Sequence, residues 1–403
     1  MSDILDANDD VEATFGNYKE GESEPGHVRP KRTDYAAWHH PVKQRVRTSQ
    51  WQALVRQLLE LRSMRDCVLR YFTLPGPDLL DVRVVADVCT PSDVRIEYFG
   101  FDSARRDDQA HDPRFEIESA LRQSRKVTDD AVIYQDRLED IAQGESQASK
   151  QLQMRQPFDV VNIDACDHLA YSPPNRTVNL FEALKRLLAH QMDAVQPWLL
   201  FITTRAEPHL MAGPGELLQE VIDQNVQKAD GEFKAVLADV LKQDASCLLA
   251  DLKVLWEGTD DKFLKLFSIA LTKYLVQFYL SQPNKPADVE LKSLCAYRVY
   301  GKDADMLALA FQITPTGRVF FEPGQVPVRD EALETRRAIR AANRSRRMRD
   351  LDAEIQQDAD LLNRMTRESA ILLNESNFDL DGYLEWLSKH AHRPILVNRE
   401  VIA

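Results

Sequence analysis

Cysteine is scarce in this chain of 403 residues, and the little there is lies scattered. Cys67, Cys89, Cys166, Cys247 and Cys295 form no C-x-x-C pair. That excludes a disulfide framework and the usual zinc-ligand spacings, and it reads as free, mostly buried thiols of a reducing compartment. Adjacent His39 and His40 lack a third ligand at a suitable spacing, so no metal site is expected. Positive charge is also short: 64 Asp+Glu against 51 Lys+Arg leave a net charge of -13. This excludes a protein that binds nucleic acid over its whole surface, though not a local basic patch. No G-x-G-x-x-G string occurs, which argues against a nicotinamide or flavin dinucleotide site. The first ten residues are acidic and lack the charged and apolar regions of a signal peptide. The longest apolar segment, 263–280, is broken by Lys265 and Lys273 and reads as too short to span a bilayer. The expectation is a soluble cytoplasmic protein with no membrane association.

What is present is a 44% hydrophobic content, enough for a large core in one or two domains. Residues 1–45 are polar and read as a disordered or extended arm. Within it, Trp38-His39-His40-Pro41-Val42-Lys43-Gln44-Arg45-Val46-Arg47 mixes aromatic, imidazole and basic side chains. Two readings stand: a lead-in segment packed on the domain surface, or an arm closing over a ligand or a phosphate.

From Ser49, read as a helix cap, the pattern alternates. Helical spacing over 50–65 is followed by a β-branched and aromatic strand over 68–74, a Pro75-Gly76-Pro77 turn and a helix over 78–89. A second strand over 94–101 ends at Asp102, and a third over 131–134 ends at Gln135-Asp136. Helices are expected over 115–125 and 137–154. The fourth strand, 158–163, is apolar except for Asn162 and stops at Asp164, with Asp167 just beyond. Such runs are buried strands of a parallel sheet, whose carboxyl ends face the ligand in open α/β proteins. A helix over 178–195 and a fifth strand over 198–202 complete the alternation, which predicts right-handed βαβ units in a doubly wound, mostly parallel sheet. Residues 214–280 read as helical throughout, and the stripe Phe263, Phe267, Tyr274, Phe278 reads as core. Strands over 289–300 and 306–314 are close enough to form a hairpin.

Five alternating strands, a helical segment and a closing hairpin resemble the class I S-adenosylmethionine-dependent methyltransferase superfamily, over about residues 68–315. In that superfamily the last two strands insert into the sheet edge. The resemblance implies a seven-stranded methyltransferase-like sheet over 46–318, with a helical insertion over 214–280. It also implies a role for each strand end. The turn after the first strand, Thr73 to Asp78 with Gly76, would face the cofactor. Asp102 would hold its ribose hydroxyls, and Asp136, beside Arg137, would meet its adenine. Asn162, Asp164 and Asp167 would lie nearest the transferred methyl group, where Asp164 or Asp167 orients or deprotonates the acceptor. Carboxylates suit diols and an amino group because each offers two acceptor oxygens. The turn departs from the superfamily pattern in having one glycine between two prolines. Leu74, Leu79 or Tyr71 filling the space above it would mark an inert site.

Ser172-Pro173-Pro174-Asn175 is similar to the Ser-Pro-Pro-aromatic motif of amino-methyltransferases acting on DNA. It starts eight residues beyond Asp164, however, and has Asn175 in place of the aromatic. Two prolines ahead of a helix also read as a simple lead-in turn.

The tail, 319–403, is different in character and reads as a helical C-terminal extension. Asp330 can begin a long helix that runs to about residue 373. Seven arginines occur in 335–349 without an acid, among them Arg336, Arg337, Arg340, Arg344, Arg346 and Arg347. They read either as a phosphate-contacting face for nucleic acid or as a face paired with Asp350 to Asp360 of a second copy, making a homodimer. Beyond them Leu351, Ile355, Leu362, Met365 and Leu372 fall near heptad spacing, flawed at Asp358 and Ser369. Three functions follow: a methyltransferase of unknown acceptor, a catalytically inert methyltransferase-like scaffold that binds nucleic acid or protein through its arginine helix, or another nucleotide-handling Rossmann enzyme.

Overall fold

The computed structural model describes residues 30–103, 114–172, 176–211, 213–228, 231–301, 303–320 and 330–389. Eight strands form one sheet: β1 (Val68–Thr73), β2 (Arg95–Phe101), β3 (Val132–Tyr134), β4 (Val160–His168), β5 (Trp198–Arg205), β6 (Ala287–Tyr297), β7 (Met306–Pro315) and β8 (Arg349–Asp350). Their spatial order is β3-β2-β1-β4-β5-β7-β6-β8. β1 to β5 are parallel, and β7 runs antiparallel to both β5 and β6. The result is a mostly parallel mixed α/β sheet.

The period of two residues sorts the strands onto two faces. Phe72, Phe99, Val161, Ile163, Leu200, Ile202 and Phe311 join one core, and Tyr71, Tyr98, Val160, Leu199, Phe201 and Ala310 join the other. Burial on both faces explains why β4 and β5 are nearly continuous apolar runs.

Helices cover both faces: α1 (Pro41–Val46), α2 (Ala53–Leu61), α3 (Leu80–Cys89), α4 (Arg114–Gln123), α5 (Gln147–Gln153) and α6 (Leu180–Gln191). The helical insertion is α7 (Gly213–Val226), α8 (Glu232–Leu241), α9 (Leu248–Glu257) and α10 (Asp261–Leu280). The 20 residues of α10 exceed the length expected for it and are enough, by length and composition, to cross a bilayer. The helix is instead enclosed: Phe263, Leu266, Phe267, Ile269, Ala270 and Leu271 have no exposed surface. The aromatic residues Phe263 and Phe267 are core, as their spacing predicts.

The chain departs from the sequence reading in four places. First, Ser49 does not cap a helix. The helix begins at Pro41, capped by His40, and passes through a six-residue π segment, Arg47–Gln52, into α2. The Ser49 hydroxyl donates 2.7 Å back to the Arg45 carbonyl within it. Second, α3 starts at Leu80, not at Asp78, because Leu79 sits in the left-handed region at φ 47°. Third, β4 continues past Asp164 to His168, with a register shift against β5 between those two residues. Fourth, the long tail helix is three: α11 (Glu331–Ser345), α12 (Leu351–Gln357) and α13 (Ala359–Glu375), before α14 (Leu380–Lys389). The break lies at Arg349–Asp350, which pairs with Cys295 and Ala296 of β6, and Asp350 and Asp358 each cap the helix that follows. The tail's near-heptad residues Leu351, Ile355 and Met365 turn inward, onto the same core as α1 and α3.

The tail is locked to the insertion by a buried ion pair. Lys273 of α10 meets Glu334 of α11 at 2.7 Å, with side chains 0% and 3% exposed, and Gln277 donates to the same oxygen at 2.8 Å. Lys273→Met leaves the buried Glu334 carboxylate without its cation and is expected to lower unfolding stability by about 3–5 kcal/mol, whereas Lys273→Met with Glu334→Leu recovers most of the loss. Denaturant titration checks both, and equal stability of the single and double variants would count against the pair as the lock.

Candidate functional site

Strand order reverses between β1 and β4. β1 pairs with β2 on one side and β4 on the other, so the connections leaving β1 and β4 part and open a crevice at the carboxyl edge. A cleft of about 400 Å³ lies there. Gly76, Asp102, Asp136, Arg137, Asp164 and Asp167, all singled out from sequence, line it together. A methyl group built on Gly76 would meet nothing within 4 Å, so space stands above the turn. Gly100 at the end of β2 is different: a Cβ there would lie 2.6 Å from the Thr73 carbonyl, so only glycine lets the turn sit this close. Leu74 lines the cleft, whereas Tyr71 and Leu79 point into the core and do not plug it.

Two candidates lie elsewhere. Thr73 is wholly buried and donates its hydroxyl to Asp81. Asn162, also wholly buried, donates to the Tyr71 hydroxyl at 2.9 Å. Both are corrections. Asn162 shares a face with Asp164 but lies two residues deeper in β4, short of the carboxyl edge where the cleft opens, and the Pro75–Pro77 turn moves the ligand-facing backbone beyond Thr73. Of the Ser-Pro-Pro motif, Pro173, Pro174 and Asn175 lie outside the described residues. Ser172 accepts a bond of 3.0 Å from Asn179, which caps α6.

Four further lining residues went unrecognised in the sequence. Asp81 accepts from the hydroxyls of Tyr71, at 2.9 Å, and Thr73, and burial raises its carboxyl pKa above the ordinary value despite these donors. Lys43 of α1 bonds Asp164 and lies 3.5 Å from the hydroxyls of Thr203 and Tyr297. Its ammonium also stands 5.0 Å over the Trp51 ring. Arg47 is 3% exposed and donates to two neutral oxygens, Gln44 Oε1 at 3.3 Å and the Trp38 carbonyl at 2.8 Å, and its Nε has no partner among the described residues. Burial pulls its pKa below the usual arginine value. Lys43 and Arg47 stand four residues apart, hence on one helix face, within the basic segment already flagged by its composition. Arg47 belongs to the π segment, a feature that recurs where helices carry function.

His168 is the fourth. The β4 register shift sets Asp164 to His168 against only Thr203 to Arg205, and such a bulge re-aims side chains. It puts Asp164, Asp167 and His168 on the cleft. His168 is 1% exposed, its Nδ1 accepts from the Ala170 amide at 3.0 Å, and burial pulls its pKa down to about 4.

Asp102 is not a lone acid. Arg114 of α4 meets it at 2.5 Å, with the guanidinium side chain 6% exposed. Asp164 is likewise balanced by Lys43.

One cleft wall is built from both ends of the chain. Ala37 and Trp38 line it. Their segment is pinned by Arg32, which meets Asp78 of the turn at 2.5 Å and stacks 4.1 Å over Phe378, and by backbone bonds between Arg32 and residues 377 and 379. His39 Nε2 stands 3.6 Å from Asp78, and the Tyr383 hydroxyl donates 2.7 Å to the His39 carbonyl. Arg83 of α3 reaches Glu375 and, at 2.9 Å, Ser376. The lead-in segment therefore is both packed and part of the cleft.

The arginine run is largely paired within the chain. Arg337 donates to the Ala287 carbonyl at 3.1 Å and meets Asp288 at 2.9 Å. Arg340 reaches Asp288 at 2.7 Å and the Val289 carbonyl at 3.2 Å, and Arg344 bonds the Lys292 carbonyl. These residues cap the outer edge of β6, a strand whose free carbonyls otherwise invite pairing. Arg346 pairs with Asp239, and Arg336 lies 3.8 Å from Asp330. Within the chain the acids these arginines meet are thus Asp288, Asp239 and Asp330, and Arg349 meets Glu354 of the acidic stretch that follows it.

Fold and cleft define an α/β protein with a crevice at the carboxyl edge of its sheet, of the kind that takes small ligands. The chain belongs to the PP_RS20740-like family, whose model matches residues 32–388. No curated protein and no solved structure matches it.

Two outcomes are expected. Folding holds His168 neutral, so its contribution to stability is present above the ordinary pKa of 6.5 and is lost as pH falls toward about 4. His168→Gln should therefore flatten the decline of melting temperature between pH 6.5 and 4, while a parallel decline would refute the assignment. Asp78→Ala removes the carboxylate that pins residues 30–40, and limited proteolysis in that segment should quicken about tenfold through loss of a charge-assisted bond. An unchanged cleavage rate would show that Asp78 does not hold it.

Proposed function

We infer that the cleft binds S-adenosylmethionine and that the protein is a methyltransferase whose acceptor is not yet identified. The observation that carries this reading is the meeting of Gly76, Asp102, Asp136 and Asp164 on one open cleft at the switch between β1 and β4. The order β3-β2-β1-β4-β5-β7-β6, with reversed β7 inserted between β5 and β6, supports the methyltransferase-like arrangement.

The residues present fit such a ligand. Nothing crowds Gly76, and Arg47 Nε and His168 Nε2, both in cleft-lining residues, are buried with no hydrogen-bond partner among the described residues. Buried polar atoms left this way call for a group to satisfy them.

When bound, the cofactor supplies an electrophilic methyl group. The chain supplies position. The backbone around Gly76 leaves room for close approach, and Asp102, held by Arg114, accepts from the ribose hydroxyls. Asp136 accepts from the adenine amine, with Arg137 beside it. Asp164, fixed by Lys43, orients the acceptor, and the exposed Asp167 takes its proton. Holding two reactants in line is the larger share of such catalysis.

A second reading, a catalytically inert scaffold, draws on the two neutralised acids: Asp102 is tied to Arg114 and Asp164 to Lys43. Titration calorimetry and thermal shift with S-adenosylmethionine test the first reading. Binding should raise stability by about 2.7 kcal/mol at a hundredfold excess over Kd, and Asp102→Ala should weaken it. No heat and no shift would overturn the proposal. Binding without methyl transfer to any acceptor offered would favour the scaffold.

A further inference from the structure

A second cavity, of about 220 Å³, lies between α11 and the outer edge of β6, away from the cleft. Four of its lining residues are Arg337, Arg340, Arg344 and Arg347. Arg337, Arg340 and Arg344 are three and four residues apart and share one side of α11 over about 10 Å, and Arg347 follows in the turn beyond Ser345, the last residue of the helix.

Charge there does not balance. Against four guanidinium groups stand Glu290 in the lining and Asp288 at the rim, and Asp288 is shared by Arg337 and Arg340. Glu290 is itself 3.4 Å from Lys292, a further cation. Arg344 bonds a neutral carbonyl, that of Lys292. The mutual field is felt: burial and neighbouring Arg340 both pull the Arg337 pKa below its ordinary value, despite Asp288. Each guanidinium carries five N–H donors in a flat fork, and capping a strand edge uses only one or two of them. Asn343 and Thr272 add neutral hydrogen-bonding groups to the lining.

Edge capping alone explains Arg337, Arg340 and Arg344 but not Arg347, which continues the row beyond the last capped carbonyl. A concave, hydrogen-bonding surface with surplus positive charge suits tetrahedral oxyanions. A row of four guanidinium groups is more than one phosphate needs and suits successive phosphates of a strand. The overall charge of -13 does not forbid this, because screening confines distant acids to about 8 Å at physiological salt. We propose that the groove between α11 and β6 binds the phosphodiester backbone of single-stranded nucleic acid through Arg337, Arg340, Arg344 and Arg347. The assignment is independent of what the cleft binds.

The test is fluorescence anisotropy of a labelled single-stranded oligonucleotide of mixed sequence, titrated with the full chain at 50 to 200 mM salt, with excess inorganic phosphate as competitor. Binding should weaken steeply with salt. Arg344→Gln and Arg347→Gln should each weaken it several-fold and lower the salt slope by about one, uniformly across sequences. Arg336→Gln and Arg346→Gln, outside the groove, should change affinity less than about twofold. Melting curves accompany each variant, and should Arg344→Gln loosen the β6 edge, Arg347→Gln carries the test alone. No binding at 50 mM salt would overturn the proposal. So would equal losses in Arg336→Gln and Arg347→Gln, or capture of inorganic phosphate without the oligonucleotide.

Discussion

The structure depends on one constraint: a parallel strand must be left by a connection that crosses over a face of the sheet. β1 has parallel neighbours on both sides, so the chain leaving it and the chain leaving β4 depart toward opposite faces, and a gap opens between them. The candidate site lies around that gap. Asp102 and Asp136 end the strands on one side, and the bulge in β4 brings Asp164, Asp167 and His168 from the other. The reversed β7 completes the sheet and lets β6 face the tail, where α11 and β8 finish the edge.

Much of this was legible in the residues. Strands buried on both faces announce themselves as apolar runs, so β1, β2, β4, β5 and the β6–β7 hairpin were placed close to where they lie. The acids at strand ends could be read as sharing an edge because parallel strands share a direction. The failures have local causes. Thr73 and Asn162 were assigned by nearness in sequence, but both lie within the buried length of their strands, short of the open edge. Ser49 looked like a cap because a hydroxyl ahead of an apolar run suits that role, yet mid-helix the same hydroxyl bonds back to Arg45. Asp358 looked like a flaw in a heptad when it was the cap of a new helix.

The residues that went unseen share a property. Lys43, Arg47, Asp81 and His168 are polar groups inside or beside elements, and their importance comes from partners far away in the chain: Lys43 meets Asp164, 121 residues later. Charge composition flagged the segment around Lys43 and Arg47 but could not say which face of it would turn inward. In the tail the same holds in reverse. The arginine run suggested a solvated face, and several of its members serve the backbone of β6 instead.

The joining of Arg32, His39 and Asp78 with residues 375–383 has a temporal side. α1 rests on α13, and Gln44 and Arg45 reach Glu368 and Glu354. During synthesis the segment 32–47 must therefore wait for α13 and α14 to be made before it is held in place. Until α13 and α14 emerge, Lys43 and Arg47 have no support from that side, although Arg114 of α4 can already meet Asp102. A chain arranged in this way completes its cleft wall only after α13 and α14 are made, and a product truncated before them lacks that support.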